Sequence, residues 1–88
     1  MLQKQKLFAI KDSKGEQFFK PFTSETSASA EREFTTLVND ESKQSNVSKY
    51  PEDFDLYELG DYEISTGKIM PLEAPKHVKH AALLVTKN

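Results

Sequence analysis

The sequence predicts a small α+β domain: one antiparallel sheet of three to four strands, with a single helix packed on one face. Three observations carry this. Two segments alternate apolar and polar residues around turn signals, one segment repeats its apolar residues every three to four positions, and the resulting order is strand, strand, helix, strand, strand. A chain of 88 residues has room for one domain, and by surface scaling it buries roughly 60–65% of what it exposes when unfolded. The expected domain is 1–75, followed by a basic tail at 76–88.

KQKLFAIK (4–11) reads as the first strand, with Phe8 and Ile10 on one face. Asp12-Ser13-Lys14-Gly15 has Asp first and Gly last, as a type I turn prefers, and EQFFKPF returns as a second strand that Pro21 ends or bends. In TSETSASAEREFTTLVND the period changes. Ala30, Phe34, Leu37 and Val38 form one stripe, Thr26 or Ser27 supplies the N-cap, and Asn39-Asp40 offers a stop, so a helix is expected near 27–39.

DESKQSNVSKYPED (40–53) is a polar connection with room for one helical turn. From Phe54 alternation resumes: Phe54 and Leu56 face one way, Asp55, Tyr57 and Leu59 the other. Apolar groups on both faces place this strand inside the sheet. Ser65-Thr66-Gly67 is a hairpin loop leading back through KIMPL. The tail EAPKHVKHAALLVTKN admits a short helix, a terminal strand through AALLV, or a disordered end.

Charge is unevenly distributed along the chain. Residues 1–24 carry five Lys against Asp12 and Glu16, residues 25–63 carry Arg32, Lys43 and Lys49 against eleven carboxylates, and residues 64–88 carry four Lys against Glu73. The blocks are therefore +3, −8 and +3. An acidic middle between basic ends argues against an evenly basic nucleic-acid binder, but permits a local basic patch if both ends fold to one side. The absence of cysteine excludes disulfides and thiolate chemistry and suits a reducing compartment. The N-terminus has charges within and after its short apolar run, unlike a signal peptide, and no stretch approaches the ~20 apolar residues of a membrane span. An intracellular protein without membrane contact is expected.

Several chemistries fail on spacing. Gly67-Lys68 is followed by Ile69 and no helix pattern, so it is a hairpin turn rather than a phosphate loop. Asp53-x-Asp55 opens like a calcium loop, but Glu58 and Ile64 occupy the positions that need Gly and Glu. His77 and His80, at i and i+3 beside Lys76 and Lys79, read as solvated polar surface, and no metal or other cofactor is expected. No carboxylate pair or nucleophile with a linked base stands out, so the expectation is a nonenzymatic protein.

Nucleic-acid binding is the functional pattern that remains. Single-strand binders set Lys or Arg along phosphates and aromatics under bases. The first hairpin interleaves Lys4, Lys6, Lys11, Lys14 and Lys20 with Phe8, Phe18, Phe19 and Phe22, and the tail adds Lys76, Lys79 and Lys87. The competing account makes the Phe residues core and the Lys residues a solubilising exterior, which a small domain favours.

LFAIKDSKGEQFFKPF, a helix ending FTTLVND, and KYPEDFDLYELGDYEISTGKI together resemble the small nonstructural protein of gokushovirus-type microviruses, bacteriophages with single-stranded DNA genomes, over roughly residues 6–70. The resemblance implies a nonstructural protein, often described as DNA-binding, acting in genome replication or packaging in the cytoplasm of the infected bacterium; it implies no catalytic residues. Its most characteristic segment is also the most acidic, and like charge repels phosphate. Asp53, Asp55, Glu58, Asp61 and Glu63 are therefore expected to meet a basic protein partner, a host or phage replication or packaging factor. Single-stranded DNA falls to the basic ends. The alternative is an interaction or self-association module, including a homodimer, that never touches DNA.

Overall fold

The structure is a computed structural model describing residues 3–86. Strand β1 (Lys4–Asp12) leads to a short β2 (Gln17–Phe18) and a short β3 (Phe22–Ser24), followed by helix α1 (Ser27–Val38), a single turn α2 (Asn46–Lys49), a 3-10 turn at Pro51–Asp53, strand β4 (Phe54–Glu63), strand β5 (Lys68–His80) and a 3-10 turn at Ala81–Leu84. All pairings are antiparallel, in the order β2-β1-β4-β5, and β3 shares with β2 the outer edge of β1. The sheet thus has one strand more than the three to four expected, because Pro21 splits the second strand into two pieces.

The Asp12 carboxylate accepts from the backbone N–H groups of Lys14 and Gly15 at 3.0 and 3.2 Å, which closes the first turn. Glu16 completes it in a left-handed conformation (φ 54°). In the second hairpin Gly67 takes φ 77°, the positive value its lack of a side chain allows.

Helix α1 begins where its cap dictates. The Thr26 hydroxyl accepts from Ser29 N–H at 3.0 Å, and the Ser29 hydroxyl accepts from Thr26 N–H at 3.2 Å, a reciprocal capping box. Thr26→Ala is expected to lower stability by about 1 kcal/mol, measured by urea unfolding. At the other end Asn39 is the C-cap; its side-chain amide donates to the Leu84 carbonyl at 2.9 Å, and its amide oxygen accepts from Thr86 N–H at 2.9 Å.

The helix stripe lies across the sheet as its spacing requires. Ala30, Phe34 and Val38 are buried with Phe8, Ile10, Val47, Phe54, Leu56 and Ala81, and Phe22, Leu37, Val78 and Leu84 pack around them. The six Phe therefore divide: Phe8, Phe34 and Phe54 are core, Phe22 stacks on Phe8 at 6.0 Å, and Phe18 and Phe19 are exposed.

Part of the tail proves to be strand. Residues 76–80 complete β5, and Ala81 enters the core, so the strand runs through KHVKH rather than AALLV. Pro71 and Pro75 lie within β5 because it is an edge strand and because Leu72–Pro75 stand opposite Leu59 alone, between the Pro71–Gly60 and Lys76–Glu58 pairs. A bulge on an edge asks no ladder donor of a proline.

Candidate functional site

Helix α1 covers one face of the sheet and leaves the other open. On β1, Phe8 and Ile10 point to the helix, so Ala9 and Lys11 point away. Cross-strand register then puts Asp55 and Tyr57 of β4, His77 and His80 of β5, and Phe18 of β2 on the open face beside them.

These side chains form one connected group. The Phe18 and Tyr57 rings meet edge to face with centroids 5.5 Å apart, and Tyr57 meets the His77 ring in the same way at 5.3 Å. The Lys11 ammonium stands 5.7 Å from the Phe18 centroid. Ala9, fully buried yet outside the core cluster, is in register with Tyr57 on the strand between those that carry the two rings. Phe18 remains 40% exposed, so its ring is accessible.

Two irregularities in the ladder decide which charges share this face. Opposite β1 the register steps from Leu7–Gly60 to Phe8–Glu58, leaving Leu59 unpaired. Past that bulge the alternation of β4 is inverted, so Asp61 and Glu63 turn to the helix side with Glu58, opposite Lys6 and Lys4. In a regular strand both carboxylates would join Asp55 and Tyr57. The second step lies between Leu56–Lys79 and Tyr57–His77, where Val78 is the extra residue. This bulge brings His77 and His80, three apart, onto one face.

Both histidines engage Asp55. His77 Nε2 and His80 Nδ1 lie 2.8 and 3.0 Å from the same oxygen, Asp55 Oδ1. The pair is therefore not free polar surface, as the sequence suggests, and it lies on a strand, not a helix. Among the described residues no group of three or more His, Cys, Asp or Glu is arranged to hold a metal ion.

The lysines expected at a nucleic-acid surface separate. Lys4, Lys6, Lys76 and Lys79 fall on the helix side, where Lys6 donates to Glu58 at 3.4 Å and Lys79 reaches Glu31 at 3.5 Å. Of the group's described residues, Lys11 alone projects from the open face; Lys14 lies in the turn between β1 and β2, and Lys20 in the link between β2 and β3. Lys87 lies outside the described residues. The basic ends therefore flank the acidic strand instead of gathering on a surface of their own.

The five carboxylates expected at a protein partner also separate. Asp53 sits in the 3-10 turn, where its carbonyl accepts from Ser13, and Asp55 is held by the histidines. Glu58 is buried against Lys6 at 8% exposure, Asp61 faces Lys6 across the ladder, and Glu63 accepts from the Thr66 hydroxyl at 2.7 Å. Elsewhere, a cleft of about 240 Å³ between α1 and the β1–β3 edge is lined by Ile10, Phe22, Thr23, Glu33, Phe34 and Leu37. Its single titratable group offers no acid–base pair.

Sequence reasoning had Phe18 among its aromatics and Lys11 among its cations, but not Tyr57, Ala9 or the Asp55–His77–His80 group. Alternation did place Asp55 and Tyr57 together. The histidine spacing signals one face only in a helix, and the bulge that produces the same result in a strand has no sequence signature.

Fold and site define a small α+β protein with one sheet face closed by a helix and the other bearing an aromatic and histidine platform. The chain belongs to the family described as Phage ORF5 protein, whose model matches residues 5–84, and is thus a bacteriophage protein. No curated protein and no solved structure matches it. No helix among the described residues is long and apolar enough to cross a membrane.

Proposed function

We propose that this protein is a nonenzymatic accessory factor of a gokushovirus-type microvirus that binds single-stranded DNA across the open sheet face, within the infected cell, during genome replication or packaging. The observation that carries the reading is the Phe18–Tyr57–His77 platform with Lys11 beside it, on the sheet face opposite the one that α1 covers. Bases of any identity stack on aromatic faces, and lysines at the margin neutralise phosphates. The sorting by the Leu59 bulge also removes an objection: Glu58, Asp61 and Glu63 of the acidic strand face the helix side, where Lys4 and Lys6 stand opposite. Asp55 is the one β4 carboxylate left on the open face, and it is tied to two imidazoles. Lys11, Lys14 and Lys20 supply few phosphate contacts, which corresponds to weak binding. A protein partner with basic surface would have to compete with Lys6, His77, His80 and Thr66 for the same carboxylates.

Fluorescence anisotropy with a short single-stranded oligonucleotide tests this. Binding is expected to weaken as salt rises, with a shallow slope of about −0.7 per phosphate neutralised. Tyr57→Ala should weaken it about tenfold at every salt concentration, while Lys11→Glu with Lys20→Glu should flatten the slope. Retention indifferent to salt and to all three substitutions would sink the DNA reading.

A further inference from the structure

The Asp55–His77–His80 group is more than a brace for the platform, because its hydrogen-bonding capacity is lopsided. An ionised carboxylate only accepts, so each ring nitrogen in contact with Asp55 Oδ1 carries a hydrogen and donates it: Nε2–H of His77 and Nδ1–H of His80. In the neutral rings this assignment, made from the hydrogen-bond network, leaves His77 Nδ1 and His80 Nε2 as acceptors. Asp55 Oδ2 is a third. No hydrogen bond to any of these three atoms is formed among the described residues, and the His77 side chain is 50% exposed. The group therefore offers acceptors and no spare donor, next to the Tyr57 ring on which a base would stack.

We propose that this group is a base-selecting subsite that favours nucleobases carrying an exocyclic amino group over thymine or uracil. The inference rests on the single-strand reading above and adds a specificity to it. Cytosine, adenine and guanine each present an amino group on the Watson–Crick edge, which is unpaired in a single strand. Thymine and uracil present carbonyl oxygens there, with one N–H between them. Set against an all-acceptor site, the N–H of thymine or uracil can reach Asp55 only by bringing its two flanking carbonyls against lone pairs, whereas an amino group gains its charge-assisted hydrogen bond to Asp55 without being flanked by carbonyls on both sides. Asp55 thereby does two things: it fixes both imidazole tautomers, and it is itself the strongest acceptor.

The test compares oligodeoxycytidine with oligodeoxyuridine of equal length, since these bases share ring size and differ at the 4-amino or 4-oxo group, which removes purine stacking and the thymine methyl as confounders. At neutral pH the wild-type chain is expected to bind the cytosine oligomer about tenfold more tightly. Asp55→Asn keeps the side-chain shape but replaces the ionised acceptor with an amide and frees the tautomers, so the ratio should fall towards one even as overall affinity for phosphate rises. His80→Gln, which introduces an amide donor, should lower the ratio by a second route if Asp55→Asn unfolds. Equal binding of the two oligomers by wild type, or a ratio unchanged in both variants, overturns the selectivity and leaves single-strand binding standing. Failure of both oligomers to bind at low salt overturns the single-strand reading and the selectivity with it.

Discussion

Gly60→Ala is expected to destabilise the fold by about 3 kcal/mol, which in a domain of this size lowers the unfolding midpoint by more than ~10 °C. A Cβ at this position would stand 2.3 Å from the Met70 carbonyl oxygen and 2.7 Å from Pro71 Cα, both backbone atoms of the neighbouring strand. No rotamer change relieves such a contact; the strands themselves must part. Gly67→Ala is the control, because that glycine also has positive φ, 77°, but a Cβ there would meet nothing within 4 Å. It should cost only the left-handed penalty, about 1 kcal/mol. Calorimetry of the two variants separates conformational strain from collision, and equal losses would show that β4 and β5 do not approach as described. Gly60 adjoins the unpaired Leu59. A Gly60 variant that survives by relaxing this bulge would return Asp61 and Glu63 to the open face and weaken DNA binding beyond its effect on stability.

Local signals were legible where one segment decides the outcome. The stripe Ala30, Phe34, Leu37, Val38 predicts both the helix and the side it buries, and Asp12 and Gly67 predict their turns. The interior position of β4 followed from apolar groups on both its faces. What the sequence hid was set by pairing between distant segments. The sequence left the tail beyond Pro71 open between helix, strand and disorder, yet an edge strand with a bulge continues through both Pro71 and Pro75. Charge blocks along the chain suggest charged surfaces in space, yet antiparallel pairing lays acidic β4 between the lysines of β1 and β5. The site depends on the unpaired residues Leu59 and Val78, each of which shifts alternation by one. A single added residue in a ladder is invisible to periodicity because its cause is the partner strand.

Ala9→Leu is expected to abolish most of the aromatic platform while leaving the chain folded. Phe18 and Tyr57 belong to strands on either side of β1, so their backbones are about 10 Å apart, yet their rings reach 5.5 Å between centroids. Their approach crosses β1 diagonally between Lys11, in register with Phe18, and Ala9, in register with Tyr57, and the small, fully buried Ala9 leaves it room. Leucine would fill the space, push the rings apart and cost about 1–3 kcal/mol through overpacking. Ala9→Gly removes a methyl instead, keeps the rings in reach, and costs about 0.5–1 kcal/mol as a glycine within a strand. Both variants are thus destabilised, but only the leucine variant should lose single-strand affinity, by about tenfold, the worth of one stacked base. Thermal unfolding and anisotropy on the same preparations distinguish the effects. If the glycine variant loses as much affinity as the leucine variant, binding follows global stability and the platform is not its seat. If Ala9→Leu binds like wild type, the bases stack elsewhere, and the open face has no part in recognising DNA.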